Sequence, residues 1–118
     1  MSVDRTDYII IGYKMPYGVK LKSGEMLNNL IWDDEKYLPF VEGWINEDFR
    51  IVSDGMSGNY IAFGLEISSS DEYRGFDFIE LEINTNDFDR VRSRANELFP
   101  DLEFDFSQPK ALIFSHYS

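Results

Sequence analysis

The sequence has no cysteine, a single histidine, and half as many basic residues as acidic ones. Without cysteine the chain has no disulfide, no thiolate nucleophile and no cysteine-ligated zinc site. The first seven residues are polar and lack the apolar core of a secretory signal. No apolar run approaches the ~20 residues that a membrane-spanning helix needs. We therefore expect a cytoplasmic protein that does not enter a membrane.

Motifs for catalysis are also missing. His116 lies near the C-terminus in a strand-like run, whereas a general base needs a positioned partner and shelter from water. We therefore interpret His116 as a partly exposed strand residue. The consecutive acids Asp33, Asp34 and Glu35 point in different directions on a helix or strand, so they seldom converge on one cation. The sequence predicts neither an enzyme, nor a cofactor, nor a metal site.

Acidic residues are what the chain has in excess. There are 22 Asp and Glu against 11 Lys and Arg, which gives a formal net charge of -11 over 118 residues. Such a surplus repels nucleic-acid phosphates and anionic lipid headgroups. It predicts a protein partner with a basic surface, and no direct binding to nucleic acid or membrane. High charge disfavours self-association, but an unpaired edge strand favours it, so the oligomeric state stays open.

Hydrophobic patterning predicts a single α+β domain over residues 1–118, with a largely antiparallel sheet. The β-branched run over 7–14 indicates a central strand that is buried on both faces. Further strands are predicted over 49–53, 60–67, 76–83, 102–106 and 111–117. The glycine-rich segment 54–59 matches neither a calcium loop nor a phosphate loop and is most simply a hairpin turn.

One long helix is predicted to cover the sheet. Apolar residues recur at helical spacing over about 86–99, after a cap at Thr85 or Asn86. Shorter helices are expected within 25–43. There, Ser23 caps the first helix, and the acids at 33–35 open the second.

Several acids share faces of the predicted strands. Glu80 and Glu82 stand two residues apart, so both point to one side, about 6 to 7 Å from each other. The same holds for Glu103 and Asp105, and Glu66 joins them if the strands are neighbours. Ordered carboxylates on a rigid face imitate the regular charge of a nucleic-acid backbone. The plainer interpretation is a solvated sheet face whose acids prevent aggregation.

Two tryptophans, Trp32 and Trp44, lie in the segment with the weakest secondary-structure pattern. They belong either to the core or to an exposed aromatic patch. Because exposed aromatic side chains commonly anchor protein partners, we count both residues with the strand acids as candidates for partner binding.

A basic loop supports an alternative function. Lys14, Tyr17, Lys20 and Lys22 fall in a stretch without acids, and cations beside an aromatic ring can hold a small anion or a nucleotide. The plainer interpretation is that these lysines pair with acids of the same chain. The alternative to protein binding is therefore a small-ligand or nucleotide-binding module.

Three segments resemble short acidic accessory proteins of bacterial phages and mobile elements: DYIIIGYKM, WDDEKYLPFVEGW and DGMSGNYIAFGLEIS. This resemblance implies an accessory role in the host cytoplasm, such as inhibition of a host nucleic-acid-binding or defence protein, and it transfers no site residue. The Gly58-Asn59-Tyr60 turn also resembles bacterial toxin-immunity proteins, although the helical N-terminal half of those proteins is missing here.

Overall fold

The computed structural model describes residues 5–42, 48–71, 81 and 83–117. In chain order its elements are β1 (Arg5–Met15), α1 (Leu27–Leu30), α2 (Leu38–Glu42), β2 (Phe49–Ser53), β3 (Ile61–Asp71), α3 (Thr85–Leu98) and β4 (Lys110–Tyr117). The strands form one antiparallel sheet in the order β2-β3-β1-β4. The predicted α+β class, with one principal helix and short helices before it, is confirmed. No helix among these residues is long and apolar enough to cross a bilayer.

The central position predicted for β1 is confirmed. β1 pairs with β3 on one side and with β4 on the other. Ile10 and Ile11 point to opposite faces of the sheet and are 0% and 1% exposed. A continuous run of β-branched residues suits this position, because both faces of the strand bury apolar side chains.

The main core lies between α3 and one face of the sheet. From the helix, Val91, Ala95 and Leu98 are buried against strand residues that include Phe63. The guanidinium of Arg94 lies over aromatic rings of this core, 5.3 Å from the ring centre of Phe40. The apolar stripe predicted for the long helix is therefore the surface that covers the sheet.

The helix ends differ slightly from the predictions. Asn84, not Thr85 or Asn86, caps α3, because its side-chain oxygen accepts the backbone N–H of Asn86 at 2.9 Å. Ser23 does not cap α1, which begins at Leu27 after Met26. An Asx turn at Asp34 precedes α2: its carboxylate accepts the N–H of Lys36 at 2.9 Å, and α2 begins at Leu38.

One predicted strand is wrong. Residues 102–106 form only an isolated bridge between Leu102 and Leu21. Leu102 and Phe106 are buried in the core while the acids between them are exposed. Packing of an irregular segment on the core therefore produces the alternation that suggested a strand. The prediction over 76–83 lies outside the described residues except for 81 and 83, which are not in a strand.

The sheet is strongly curved. Met15 pairs with Ile61 at one end of β1, and Thr6 pairs with His116 near the other. Straight strand over this stretch of β1 spans about 30 Å. Yet Tyr60, beside Ile61, places its hydroxyl oxygen 2.9 Å from Nδ1 of His116. The face of the sheet opposite α3 is therefore concave, and we call it the concave face.

Two glycines allow this curvature. Gly12 of β1 and Gly64 of β3 are register partners, and a Cβ atom on Gly64 would lie 2.9 Å from the Cα of Gly12. The pairing of β1 with β3 also shifts register between Ile9 and Ile10, which is a second departure from a regular ladder. Paired glycines let two strands approach and bend where side chains would not fit.

Candidate binding surfaces

Trp32 lies on the surface, in the turn that follows α1. Its side chain is 52% exposed, and the next three residues, Asp33, Asp34 and Glu35, are exposed as well. Within the part of the chain that the structure describes, no cation forms an ion pair with these three acids. We call residues 32–35 the Trp32 turn. It combines one large apolar side chain with three carboxylates.

Backbone hydrogen bonds hold the Trp32 turn in place. The N–H groups of Asp33 and Asp34 both donate to the carbonyl of Leu30, at 3.1 and 2.8 Å. Ile31, directly before the tryptophan, is 0% exposed. The chain is thus anchored on one side of Trp32 and hydrogen-bonded on the other, so the indole is presented from a defined backbone.

Asn28 ties α1 to the neighbouring elements. Its side-chain oxygen accepts the hydroxyl of Ser53 at 2.7 Å, and its amide donates to the hydroxyl of Tyr17 at 2.8 Å. Ser53 ends β2, so α1 lies at the end of the sheet where the β2–β3 hairpin turns. Met56, in that turn, is 57% exposed and provides a second exposed apolar side chain.

The hairpin turn predicted over 54–59 is confirmed. The Asp54 carboxylate is buried and accepts two backbone N–H groups, from Ser57 at 3.1 Å and from Asn59 at 3.0 Å. Gly58 has φ of +68°, a conformation that glycine adopts readily. Asp54 therefore shapes the loop.

Glu66, one of the predicted partner-binding acids, lies on the concave face. Its carboxylate is 3.5 Å from Nε of Arg50, and both side chains are largely buried. The curved sheet also buries Ala62 and Gly64 beside it, so this part of the face is not fully solvated. Two other predicted acids, Glu80 and Glu82, lie outside the described residues, as does Trp44.

Glu103 and Asp105 are exposed but do not extend an array from Glu66. The backbone N–H of Glu103 donates to the carbonyl of Lys20 at 2.9 Å, which places this acid beside the basic loop. The Asp105 carboxylate accepts the N–H of Ser107 at 2.9 Å, and hydrogen bonding from Ser107 holds its pKa below the usual value. Of the described acids, Glu66 thus lies in β3, whereas Glu103 and Asp105 lie in the irregular segment that follows α3.

The residues of the basic loop also contact different elements. The structure places Lys14 in β1 on the concave face, whereas Tyr17 is hydrogen-bonded to Asn28. Lys20 and Lys22 lie beside the segment 101–103, where the N–H of Lys22 donates to the carbonyl of Asp101 at 2.8 Å. Lys14, Tyr17 and the pair Lys20 and Lys22 therefore contact different elements of the structure.

A cavity opens on the concave face beside Lys14. Its volume is about 230 Å³, and its lining includes Tyr60, Ala62, Leu112 and Phe114. Nearby rings are packed together: Phe114 stacks on Tyr8 with ring centres 5.4 Å apart. The signals for this cavity in the sequence are Gly12 and Gly64, since glycine within a strand marks a bend or a close approach.

Tyr60 and His116 close one side of the concave face. Burial, the Asp54 carboxylate and Tyr8 raise the pKa of Tyr60 to about 12, so its hydroxyl is protonated at neutral pH. The hydroxyl shares a hydrogen bond with Nδ1 of His116, and the imidazole tautomer decides which of the two groups donates. Burial lowers the pKa of His116, and the charge of Asp54 opposes this shift. Among the described residues no carboxylate hydrogen-bonds to this imidazole, and no three potential metal ligands converge.

Comparison of the chain with protein-family models, with curated proteins and with solved structures finds no match.

Proposed function

We propose that this chain is a non-enzymatic accessory protein that binds another protein through the Trp32 turn. The observation that carries the proposal is a half-exposed Trp32 next to Asp33, Asp34 and Glu35. None of these acids has a cation partner within 4.0 Å among the described residues. The partner therefore presents an apolar pocket for the indole and basic side chains around it.

This combination suits protein recognition for a physical reason. A tryptophan supplies a large apolar area at a small cost in side-chain entropy, and such residues dominate binding free energies. Acids around the anchor select a basic partner and accelerate the encounter, because they contribute to the field of a molecule with a net charge of -11. The turn is held by backbone bonds, so little ordering is required on binding.

The resemblance to phage and mobile-element proteins favours a particular setting. We propose inhibition of a host nucleic-acid-binding or defence protein, in the host cytoplasm, by imitation of an acidic nucleic-acid surface. The net charge of -11 supports this version. Among the described acids, those of the Trp32 turn suit mimicry better than Glu66, since the latter is paired with Arg50.

The test is affinity capture from a host lysate with three immobilised proteins: the wild type, Trp32→Ala and Met56→Ala. Trp32→Ala removes the anchor, while Met56→Ala removes a similarly exposed apolar side chain from the hairpin turn. We expect a basic protein that is captured by the wild type and by Met56→Ala but lost with Trp32→Ala and at high salt. Partners captured equally by all three forms would contradict the proposal.

A further inference from the structure

We propose that the concave face binds a small amphipathic monoanion, a carboxylate attached to a flat apolar body. The apolar body occupies the cavity of about 230 Å³, and the carboxylate meets the ammonium group of Lys14. This site is separate from the Trp32 turn and does not depend on the proposed partner.

The apolar half of the site is built by the curvature of the sheet. Ala62 in the floor is 2% exposed, and Leu112 and Phe114 bring half-buried apolar surface from β4. Tyr60 lies directly before β3, and the centre of its ring is 5.6 Å from that of Phe114 in an edge-on arrangement. A cavity with aromatic and aliphatic walls binds a planar apolar group through the surface it removes from water.

The charged half of the site is cationic, which is unusual in so acidic a molecule. Lys14 also lines an adjoining depression of about 410 Å³, which includes the exposed Lys110 and Gln108. Neither lysine forms an ion pair with an acid in the described residues. Two cations without a partner beside an apolar cavity provide charge complementarity for an anion.

Asp105 limits the charge of the ligand. It lines the same depression as Lys110, and hydrogen bonds from Ser107 lower its pKa, so it is ionised at neutral pH. A second negative charge on the ligand would be repelled there. The geometry thus favours a monocarboxylate over a dicarboxylate or a nucleotide.

Three matched probes test the two halves of the site. Indole-3-acetate carries both features, indole-3-acetamide has the same shape without the charge, and acetate has the charge without the ring. We expect saturable binding of indole-3-acetate, followed by backbone amide NMR shifts around Lys14, Ala62 and Leu112. The amide should bind at least about tenfold more weakly, since a hydrogen bond to a charged group is lost. Acetate should not saturate the protein at about 10 mM.

The variant Lys14→Met locates the site, because it removes the ammonium but keeps an apolar stem. Lys22→Met is the matched control, an exposed lysine located beside Asp101. We expect Lys14→Met alone to weaken indole-3-acetate binding about tenfold while the melting temperature stays that of the wild type. Absence of saturable binding, equal affinity for acid and amide, or equal effects of the two variants would overturn the proposal.

Discussion

Gly12 and Gly64 face each other across β1 and β3, and neither position has room for a side chain. A Cβ atom on Gly64 would lie 2.9 Å from the Cα of Gly12. This close approach accompanies the bend that brings Tyr60 to His116. The concave face and its cavity follow from the bend.

Gly12→Ala should destabilise the fold severely. The added methyl group meets the backbone of β3, which cannot move without breaking the ladder, so we expect a loss of about 3 kcal/mol in the free energy of unfolding. Urea denaturation measures this. Gly18→Ala is the control, because a Cβ there has nothing within 4 Å. Similar effects of the two substitutions would contradict the close approach of β1 and β3.

Tyr60→Phe tests the contact that closes the concave face. The substitution removes the hydroxyl at 2.9 Å from His116 and leaves a ring nitrogen without this partner. We expect a loss of about 1 kcal/mol in stability. Tyr117→Phe, in which an exposed tyrosine loses its hydroxyl, should change stability by less than about 0.5 kcal/mol. Equal results for both variants would argue against a hydrogen bond between Tyr60 and His116.

Acidification should destabilise the protein partly through His116. Because burial lowers its pKa in the folded state, the unfolded state binds the proton more readily. The contribution of His116 is present above the unfolded pKa of about 6.5 and is lost as the pH falls toward the folded pKa. His116 is the only histidine, so its imidazole resonance can be followed directly by NMR.

Two outcomes check this pH dependence. The titration should give a pKa below about 6.5, and His116→Gln should lose less stability than the wild type between about pH 7.5 and pH 5.5. The variant retains the carboxylates, so the difference between the two proteins isolates the imidazole. An ordinary or raised pKa would show that the imidazole is not buried as described.

Asp54→Ala should loosen the hairpin between β2 and β3. The buried carboxylate accepts backbone N–H groups from Ser57 and Asn59, and its removal leaves both donors without this partner. We expect a loss of about 2 kcal/mol in the free energy of unfolding and faster amide exchange over 54–59. Asp101→Ala, at an exposed position, is the control and should leave both quantities close to those of the wild type.

Local patterns in the sequence predicted much of the fold. The run over 7–14 identified a central strand, and the stripe containing Val91 and Ala95 identified the helix that covers the sheet. The prediction of a strand over 102–106 was wrong. Leu102 and Phe106 alternate with acids because an irregular segment, not a strand, packs these two side chains on the core. Alternation of apolar and polar residues indicates that one side of a segment is buried. The segment is a strand only if a neighbouring strand forms hydrogen bonds with it.

The candidate sites were harder to predict because they depend on distant residues. Lys14 and Leu112 come together only through the pairing of β1 with β4 and the curvature at Gly12. Glu66 was expected to join the other strand acids if the strands are neighbours, and the sequence did not reveal that Arg50 on the adjacent strand pairs with it. The exposure of Trp32 was left open by the sequence, because its segment has the weakest secondary-structure pattern.

The most direct test of the proposed protein binding is calorimetric titration of the purified partner with wild type, Trp32→Ala and Met56→Ala. If the Trp32 turn is the anchor, Trp32→Ala should raise the Kd about 30-fold or more, the range of a binding hot spot. Met56→Ala should change the Kd less than about threefold. A Kd for Trp32→Ala that matches the wild type would show that the partner binds elsewhere.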